Sequence, residues 1–489
     1  MDLGELEKWQ ESNRFEAKSA RGGLPGLWDS VSAFANTDGG IIVLGVKENM
    51  KTHELYVVGV QDAHKMLEDF LNAAGSTDKL STNVFDDRNS RIETINGRDV
   101  IVIEVPRVER RLRPVYIGPD PLKGTYRRKF TGDYLCKPDE VRAMFRDSSE
   151  TSLDADIAES STVDDLDKET IRAYRSLYND VHKSGAVRRM PDAEFLCQVG
   201  AARKAVDGAI QLTKAGLLMF GQEWRIVYEF PNYFLDYRRE TGENRRWDDR
   251  FTSQELEWSG NVFDFYGRVY MKLKQALDVP FKLDADMRRV DETPAHEALR
   301  EAIVNALTNA DFSSSRAVVV RWTEAGIELK NPGTFRVGVE GAYAGGTSDA
   351  RNKNLLKMFS LIQIGERAGS GVPNMVDQWM SCGYGKPALS ESYDPEISTV
   401  LLPLSADSAG GIPEKSAENV GRKLTGKTAE KEKAIVAYLT EHGESKSAEI
   451  AASVGLGTSR TNELLHGLVE GGVVKAQGGS RNRTYRIAE

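Results

Sequence analysis

The segment Ser32–Val46, SAFANTDGGIIVLGV, contains the end of a helix, a glycine turn and a buried strand. Leu27, Val31 and Phe34 recur at a spacing that places them on one face of that helix. The apolar run Ile41–Leu44 that follows is typical of a strand covered on both faces. A helix packed against a strand of this kind indicates an α/β unit.

The turn itself contains Gly39 and Gly40, which permit a positive φ and a close backbone approach. A second apolar run, Val100–Ile103, predicts another buried strand. Strand-like and helix-like patterns alternate from residue 7 to about residue 146. We therefore expect a mixed α/β domain over residues 1–147, within a multidomain α/β (α+β) chain.

The chain has 489 residues and a formal net charge of −9, so any contact with phosphates has to be local. Its three cysteines, Cys136, Cys197 and Cys382, are far apart and odd in number, which predicts free thiols. The first residues are charged, and no apolar run approaches the roughly 20 residues of a membrane span. These features predict a cytoplasmic protein without a membrane partner.

Basic side chains cluster twice in the first domain, close to Tyr116 and Tyr126. The cations could neutralise phosphates while the aromatic rings stack on bases. A solvated basic surface with core tyrosines is the alternative. The predicted nucleic-acid contacts here are Arg107, Arg110, Arg111, Arg113, Arg127, Arg128 and Lys129.

Three motifs of the first domain resemble the Schlafen/AlbA-type domain: ESNRFEAK at residues 11–18, ANTDGG at residues 35–40 and GTYRR at residues 124–128. The resemblance covers nearly all of residues 7–146 and implies a nucleic-acid-binding module. In nuclease members of the family, acidic residues bind Mg²⁺ or Mn²⁺ for RNA cleavage.

By motif position the metal-binding and catalytic acids would be Glu11, Glu16 and Glu48, with Lys18 beside them. The family's third acid is usually an aspartate after Gly-Val, whereas this chain has Lys47 followed by Glu48. The alternative is that Glu11, Glu16 and Lys18 form solvated pairs on a strand surface.

The acidic, serine-rich segment Ser148–Asp167 reads as an exposed connection. Residues 168–290 are predicted to form an α/β connecting domain, with a strand at Ile226–Tyr237. A further domain is predicted over residues 291–404. It begins with a helix at His296–Asn309, followed by strands at Ala317–Trp322 and Ile327–Lys330.

The helix His296–Asn309 carries Glu301, Asn305 and Asn309 at i, i+4 and i+8, so these polar side chains form one stripe. A glutamate and an asparagine in this arrangement can orient water and hold Mg²⁺ beside a triphosphate. On its own, the stripe is also compatible with any amphipathic helix.

Asn331-Pro332-Gly333, residues 348–352 and ERAGSG at residues 366–371 follow in order, and the set is similar to the gyrase/histidine-kinase type ATP-binding domain in a divergent form. The resemblance implies ATP binding, with Glu301 as base and Asn305 as metal ligand. Asn331–Gly333 would be the adenine-side turn. The nucleotide-binding residues it implies are Glu301, Asn305, Asn309, Asn331, Gly333, Arg351, Asn352, Gly369, Ser370 and Gly371.

Residues 405–427 read as a flexible linker, and residues 428–489 as a winged helix-turn-helix. Its predicted parts are a helix at Ser447–Val454, a recognition helix at Ser459–Leu468 and a basic wing tip before Thr484–Ile487. The alternative is a winged helix used for protein contacts. The predicted nucleic-acid contacts here are Arg460, Asn462, Arg481 and Arg483.

Together these patterns favour a nucleotide-responsive, DNA-binding transcriptional regulator. Winged-helix regulators often bind symmetric half-sites as dimers, so a homo-oligomer is expected. The alternative function is a metal-dependent Schlafen-like ribonuclease that cleaves tRNA or other RNA in stress or phage defence.

Overall fold

The computed structural model describes two compact units, Met1–Ile412 and Pro413–Glu489. In the first unit the described residues are 12–49, 54–86, 88–183, 185–240, 247–277, 292–365 and 371–406. In the second they are 435, 438–439, 442–454, 461, 465, 474–477 and 484–487. Across these ranges, no helix combines the length and the apolar character needed to cross a membrane.

The first module of unit 1 is a four-stranded sheet in the order β1-β2-β6-β5, with β1 parallel to β2 and the other pairs antiparallel. It confirms the predicted mixed α/β character. Its elements are β1 (Phe15–Lys18), α1 (Trp28–Ala35), β2 (Gly40–Leu44), β3 (Val46–Glu48), β4 (Leu55–Val57), α2 (Ala63–Ala74), β5 (Ser90–Ile95), β6 (Arg98–Val105), α3 (Pro121–Gly124), β7 (Tyr126–Lys129), β8 (Gly132–Leu135) and α4 (Pro138–Ser148).

The turn after α1 needs both of its glycines, for different reasons. Gly39 has a φ of +71°, and a Cβ there would lie 2.8 Å from the backbone nitrogen of Arg107. Gly40 is not in the left-handed region, but a Cβ there would lie 2.5 Å from the ring of Phe34. Gly39 therefore lets the turn approach the backbone at the end of β6, and Gly40 lets the start of β2 pack against Phe34 of α1.

The buried Asn36 joins α1 to the chain that leads into β7. Its amide donates to the carbonyls of Val115 and Tyr126, at 2.7 and 3.2 Å, and accepts from the Val115 N–H. The Thr37 hydroxyl accepts from the Arg128 N–H at 3.1 Å. Because side chains satisfy these buried backbone groups, the motif at residues 35–40 has a structural role in closing the module.

The rest of unit 1 is built on a six-stranded mixed sheet in the order β12-β11-β13-β14-β16-β15. Its elements are α5 (Lys168–His182), α6 (Gly185–Arg189), α7 (Asp192–Val199), β9 (Ala202–Lys204), β10 (Ile210–Leu212), α8 (Lys214–Phe220), α9 (Glu223–Glu229), β11 (Leu235–Glu240), β12 (Asp249–Thr252), α10 (Val262–Leu273), α11 (Pro294–Thr308), β13 (Val318–Thr323), β14 (Gly326–Pro332), α12 (Gly338–Ala344), α13 (Lys353–Leu361), α14 (Gly371–Ser381), β15 (Ala388–Tyr393) and β16 (Glu396–Pro403).

This sheet contradicts the predicted boundary between residues 168–290 and residues 291–404. β11 and β12 belong to the first range, yet β11 pairs in parallel with β13 of the second. One hydrophobic core runs from Ala158 to Leu402. The two predicted domains are therefore a single α/β domain, because strand pairing across residue 290 cannot be read from local patterns.

Two local predictions in this region are also wrong. Residues 226–229 belong to helix α9, and the strand begins only at Leu235. The segment Ser148–Asp167 is not an exposed connection throughout, since Asp154 is buried and accepts the backbone N–H groups of Asn354 and Leu355 at 2.9 Å. This carboxylate caps the first turn of α13, which the sequence of α13 alone does not show.

Asp147, at the end of α4, joins the first module to the larger domain. Arg351, which is 2% exposed, donates Nε and Nη2 to the two carboxylate oxygens of Asp147 at 2.8 Å. Arg336 adds an ion pair at 3.4 Å. Burial alone would raise the pKa of Asp147, but Arg351 and Arg336 outweigh it and lower the pKa to about 2. The ion pair therefore stabilises the fold fully above about pH 4 and loses this effect as the pH falls towards 2.

Asp147→Ala should destabilise the protein by about 3–5 kcal/mol, because it leaves two buried guanidinium groups without their carboxylate. Urea denaturation measures this loss. The matched control is Asp139→Ala on the same helix, where Asp139 pairs with Arg142 at 3.0 Å and both side chains are exposed. Equal losses for the two variants would contradict the assigned role of Asp147.

Unit 2 contains a three-stranded antiparallel sheet in the order β17-β19-β18, with β17 (Ser445–Lys446), β18 (Val474–Gln477) and β19 (Thr484–Ile487). The predicted helix Ser447–Val454 is present as α15. Ile435, Leu439 and Tyr485 contribute to its small core. The predicted recognition helix lies largely outside the described residues, so the winged helix stays a prediction.

Candidate functional site

The candidate site is a cavity in the larger domain of unit 1, between α11, α14 and the end of β14. Helix α11 begins where Pro294 follows the capping residue Thr293, whose backbone N–H donates to His296 Nδ1 at 3.1 Å. The polar stripe of Glu301 and Asn305 faces the cavity, and it continues to Asn309 at the C-terminal cap of α11.

Within the stripe, each asparagine side chain donates a hydrogen bond to the preceding residue of the stripe. Asn305 Nδ2 donates to Glu301 Oε1 at 3.1 Å, and Asn309 Nδ2 donates to the Asn305 carbonyl at 3.0 Å. The Asn305 amide oxygen and the Glu301 carboxylate then offer the oxygen ligands that Mg²⁺ prefers. No cluster of three acidic, histidine or cysteine residues suited to a metal occurs among the described residues, so such an ion would need phosphate or water ligands as well.

The first turn of α14 meets this stripe at Gly371. A Cβ at Gly371 would lie 2.1 Å from Glu301 Oε1, so a larger residue here would require the Glu301 side chain to move. Backbone N–H groups at the start of a helix favour negative charge. We call this the anionic end of the cavity, because an anionic group of a ligand would lie here. The predicted nucleotide-binding residues Gly369 and Ser370 lie outside the described residues.

The opposite end of the cavity contains Asn331, near the end of β14. Asn331 is 4% exposed, and its Nδ2 has no hydrogen-bond partner among the described residues. Gly333 has a φ of +94°, and a Cβ there would lie 2.6 Å from the Arg351 guanidinium. In the predicted adenine-side turn, the backbone therefore lies close to the buried guanidinium of Arg351.

Arg351 and Asn352 are buried and do not line the cavity. Arg351 donates to the carbonyls of Asn309 and Thr334, as well as to Asp147. Asn352 donates to the Ala310 carbonyl at 2.8 Å. They hold the loops behind the cavity together, and their predicted role as direct ligand contacts is contradicted by this placement.

Sequence patterns missed Phe335 and Arg336, which form one wall of the cavity together with Asp349 of the motif at residues 348–352. Each is tied to the first module. Arg107 Nη2 donates to the Phe335 carbonyl at 3.3 Å, Arg336 pairs with Asp147, and Arg110 forms a bidentate pair with Asp349. The charges of Arg336 and Asp349 were visible in the sequence, but their partners lie about 190 to 240 residues away.

Most of the residues predicted to contact phosphate in the first module instead form internal pairs of this kind. Arg127 is buried against Glu396, Arg128 against Asp133 and Glu16, and Arg113 donates to the Val108 carbonyl. These three guanidinium groups are buried and paired inside the protein, so they are not presented to a phosphate in solvent. This corrects the prediction for the buried Arg110, Arg113, Arg127 and Arg128. Arg107 is 19% exposed and is paired with Glu391.

Arg111 and Lys129 are more accessible. Arg111 is 57% exposed and pairs with Glu150 at 3.4 Å, while Lys129 is 32% exposed and pairs with Asp394 at 2.6 Å. Surface pairs of this kind are weak and exchange readily with other anions. These two residues remain predicted contacts for nucleic acid.

The predicted catalytic acids are only partly described. Glu16 Oε2 accepts from Arg128 at 2.7 Å, and its Oε1 accepts from Lys18 at 3.1 Å. Glu48 ends β3, and Glu11 lies outside the described residues, so their convergence on a metal stays a prediction. Glu16 and Lys18 form a partly buried pair, not the solvated pair of the alternative.

Residues 7–134 match the family model described as "Schlafen, AlbA_2". The first module is a Schlafen AlbA_2 domain. Residues 316–397 match the model described as "Putative ATP-dependent DNA helicase recG C-terminal", and this range contains β14 and the cavity wall. Residues 142–236 match a domain of unknown function (DUF8451) that begins within α4 of the AlbA_2 module.

Five solved chains are similar to this chain. The DIP2311 protein from Corynebacterium diphtheriae aligns with 97% of this chain and 94% of its own, at 17% identity and a TM-score of 0.40. The Zalpha domain of Carassius auratus PKZ, in complex with Z-DNA, aligns with 12% of this chain and 97% of its own, at 23% identity and a TM-score of 0.12. At these TM-scores neither similarity bears on function. None of the curated proteins matches the chain.

Magnesium ATP should raise the melting temperature of the protein, because a ligand that binds only the folded state stabilises it by mass action. Asn305→Ala should abolish the rise, since it removes the amide oxygen at the anionic end of the cavity. The control is Asn354→Ala on α13, which does not line the cavity. Absence of any shift in the wild-type protein at millimolar ATP would contradict nucleotide binding.

Proposed function

We propose that the chain is a nucleotide-responsive nucleic-acid-binding protein that acts as a DNA-binding transcriptional regulator. The observation that carries the proposal is the direct connection between the cavity wall and the AlbA_2 module. Nucleotide binding is supported by the cavity and by the recG-type match, and nucleic-acid binding by the AlbA_2 match.

The connection has two parts. In the first part, Arg107 of the AlbA_2 module binds the Glu391 carboxylate at 2.7 Å, and Glu391 in turn accepts the Phe335 N–H at 2.6 Å. In the second, Arg110 binds Asp349 and also donates to the carbonyls of Asp147 and Ser149. Phe335 and Asp349 line the cavity, so a ligand that moves either residue acts on arginines of the AlbA_2 module.

These pairs suit a switch because their side chains are largely shielded from solvent, with at most 20% of any of them exposed. An ion pair inside the protein has few intermediate arrangements, since separating the charges without water is costly. A ligand phosphate near Arg336 would compete with Asp147 for the same guanidinium. A ligand that binds one arrangement more tightly than the other shifts the equilibrium towards the arrangement it prefers.

Contact with DNA is assigned to accessible cations rather than to the buried arginines. Arg111 and Lys129 supply two in the AlbA_2 module. The predicted winged helix would supply Arg460, Asn462, Arg481 and Arg483, all outside the described residues. Local contacts of this kind are compatible with a net charge of −9, whereas a general coating of DNA is not. Binding as a homodimer to paired half-sites remains part of the proposal.

The ribonuclease alternative is less well supported. Its second acid, Glu16, already accepts from Arg128 and Lys18, so a metal ion would have to compete with two cations for one carboxylate. We therefore favour binding without cleavage.

Purified protein should bind duplex DNA with an affinity that falls steeply with salt, and should leave tRNA intact in Mn²⁺ and in EDTA. Gel shift and denaturing gel electrophoresis measure the two results. Cleavage of tRNA that requires Mn²⁺ and disappears in Glu16→Ala would instead establish the ribonuclease.

The affinity for DNA should change when a non-hydrolysable ATP analogue is added, and Arg110→Ala should remove this change while DNA binding itself persists. Arg110 connects the module to Asp349 in the cavity wall. The neighbouring Arg111→Ala is the matched control, because Arg111 lies on the surface: it should weaken DNA binding but keep the response to the analogue. The proposed coupling is contradicted if the analogue changes the DNA affinity of Arg110→Ala as much as it changes that of the wild-type protein.

A further inference from the structure

The hairpin of β7 and β8 exposes an aromatic side chain at its tip. Lys129 pairs with Gly132, so Phe130 and Thr131 alone connect the two strands. Phe130 is 76% exposed, which is the highest value among the large apolar residues that the structure describes in the AlbA_2 module. Burial in a core normally stabilises a phenylalanine by removing its ring from water. The ring of Phe130 gains little of this stabilisation, so the fold of the module does not explain its presence.

The backbone at Phe130 is also unusual, because its φ is +52°. Two-residue hairpin loops normally place glycine, asparagine or aspartate at positions with positive φ. A bulky side chain in this region crowds its own backbone and costs free energy. Residues held in such unfavourable conformations cluster at ligand-binding and active sites. The hairpin tip is therefore a candidate contact surface.

A second exposed ring, that of Tyr134, lies beside the tip. Tyr134 is 55% exposed and pairs with Arg127, two residues before Lys129, so Tyr134 and Lys129 share one face of the hairpin. Lys129 Nζ lies 5.9 Å from the centre of the Tyr134 ring. A Cβ at Gly132 would lie 2.7 Å from this ring, so a larger residue there would displace it. One end of the hairpin therefore presents two aromatic rings and a cation.

The surface beside these rings has an excess of positive charge. Lys129 and Lys137 both bind Asp394, at 2.6 and 3.1 Å, so two cations share one carboxylate. Arg316 lines the same cleft as Lys137 and Asp394. The remaining carboxylates of the cleft already have arginine partners: Asp139 with Arg142, Asp311 with Arg146, and Glu140 and Glu396 with Arg127. An anionic ligand that reaches the rings therefore meets cations next to them.

An unpaired nucleotide combines the groups that this surface can bind. Its base has a flat face that stacks on an aromatic ring, and its phosphate pairs with a lysine or an arginine. Stacking of this kind tolerates any base, since every base has such a face. In a closed duplex, both faces of each base are covered by the neighbouring base pairs. The ring of Phe130 therefore finds a free base face only where the nucleic acid is unpaired.

We propose, building on the proposed nucleic-acid binding, that Phe130 stacks on an unpaired base and that the AlbA_2 module thereby prefers opened or single-stranded segments to closed duplex. Tyr134 provides a second stacking face, and Lys129 exchanges Asp394 for a neighbouring phosphate. Residues 7–134, which match the AlbA_2 family, include both rings. The module therefore recognises the pairing state of a nucleic acid and not its base sequence.

Fluorescence anisotropy of the full chain tests this preference with two labelled DNAs of equal length, a closed duplex and the same duplex with a short central bubble of mismatched thymines. The wild-type protein should bind the bubble at least about tenfold more tightly, because stacking adds to the phosphate contacts. Phe130→Ala should reduce the affinity for the bubble to that for the closed duplex, which should itself stay unchanged. The matched control is Tyr228→Ala, since Tyr228 is a 63% exposed aromatic residue on α9 of the larger domain, and it should change neither affinity.

Three further substitutions at the same position separate stacking from other effects. Phe130→Trp keeps a flat ring and should retain the preference for the bubble, whereas Phe130→Leu keeps apolar bulk without the ring and should lose it. Phe130→Gly removes the ring and relieves the positive φ, so it should lose the preference while its melting temperature does not fall below that of the wild-type protein. Loss of the preference in a protein of undiminished stability cannot be attributed to a folding defect.

The outcomes separate this inference from the function on which it rests. Wild-type protein that binds both DNAs equally would contradict the preference and leave DNA binding intact, whereas protein that binds neither would overturn both. A preference that persists in Phe130→Ala, or an equal loss for both DNAs, would overturn the assignment of Phe130. A dimer that becomes monomeric in Phe130→Ala, measured by sedimentation, would assign the tip to contact between copies of the chain, with the same consequence. A preference that disappears in Phe130→Ala and Phe130→Leu but persists in Phe130→Trp supports the inference.

Discussion

Arg351 and Asp147 form the contact on which the arrangement of unit 1 depends. The guanidinium is almost completely buried and contacts three structures at once: the carboxylate at the end of α4, the carbonyl that ends α11 and the backbone near Gly333. A buried charge of this kind is tolerated only with a complete set of partners. The AlbA_2 module, the helix of the polar stripe and the turn after β14 are thereby held in fixed relation.

The same principle accounts for the basic clusters of the first module. Arginines in a short stretch of sequence resemble a phosphate-binding surface, yet most of them here have acidic partners from distant parts of the chain, such as Glu391, Asp349 and Glu396. Arginine suits this role because its planar guanidinium makes several directed hydrogen bonds at once. The acidic balance of the chain supplies these partners, and it also restricts nucleic-acid contacts to the cations left on the surface.

The candidate nucleotide site lies where this internal network meets solvent. Glu301 and Asn305 form its anionic end, Asn331 its amide end, and residues tied to the AlbA_2 module its wall. A site built in this way combines ligand recognition with a direct mechanical connection to a second module. Its function follows from the connection as much as from the groups that contact the ligand.

Local sequence alone determined several features correctly. Helical periodicity identified the stripe of Glu301, Asn305 and Asn309, and the glycine turn after α1 followed from the steric demands of Gly39. Such features depend on neighbours a few residues away, so the sequence contains their physical cause. The helix at Ser447–Val454 in unit 2 belongs to the same class.

Tertiary structure decided the rest. The boundary predicted at residue 290 fails because β11 pairs with β13 about 80 residues later. The assignment of Arg110 and Arg127 to phosphate fails because their carboxylates lie more than 200 residues away. The sequence resemblance placed Asn331 in a nucleotide-binding turn, but the burial of its unpartnered Nδ2 becomes visible only once α11, α14 and the sheet surround it. Charge and polarity belong to the residue, whereas its partners are determined by packing between distant segments.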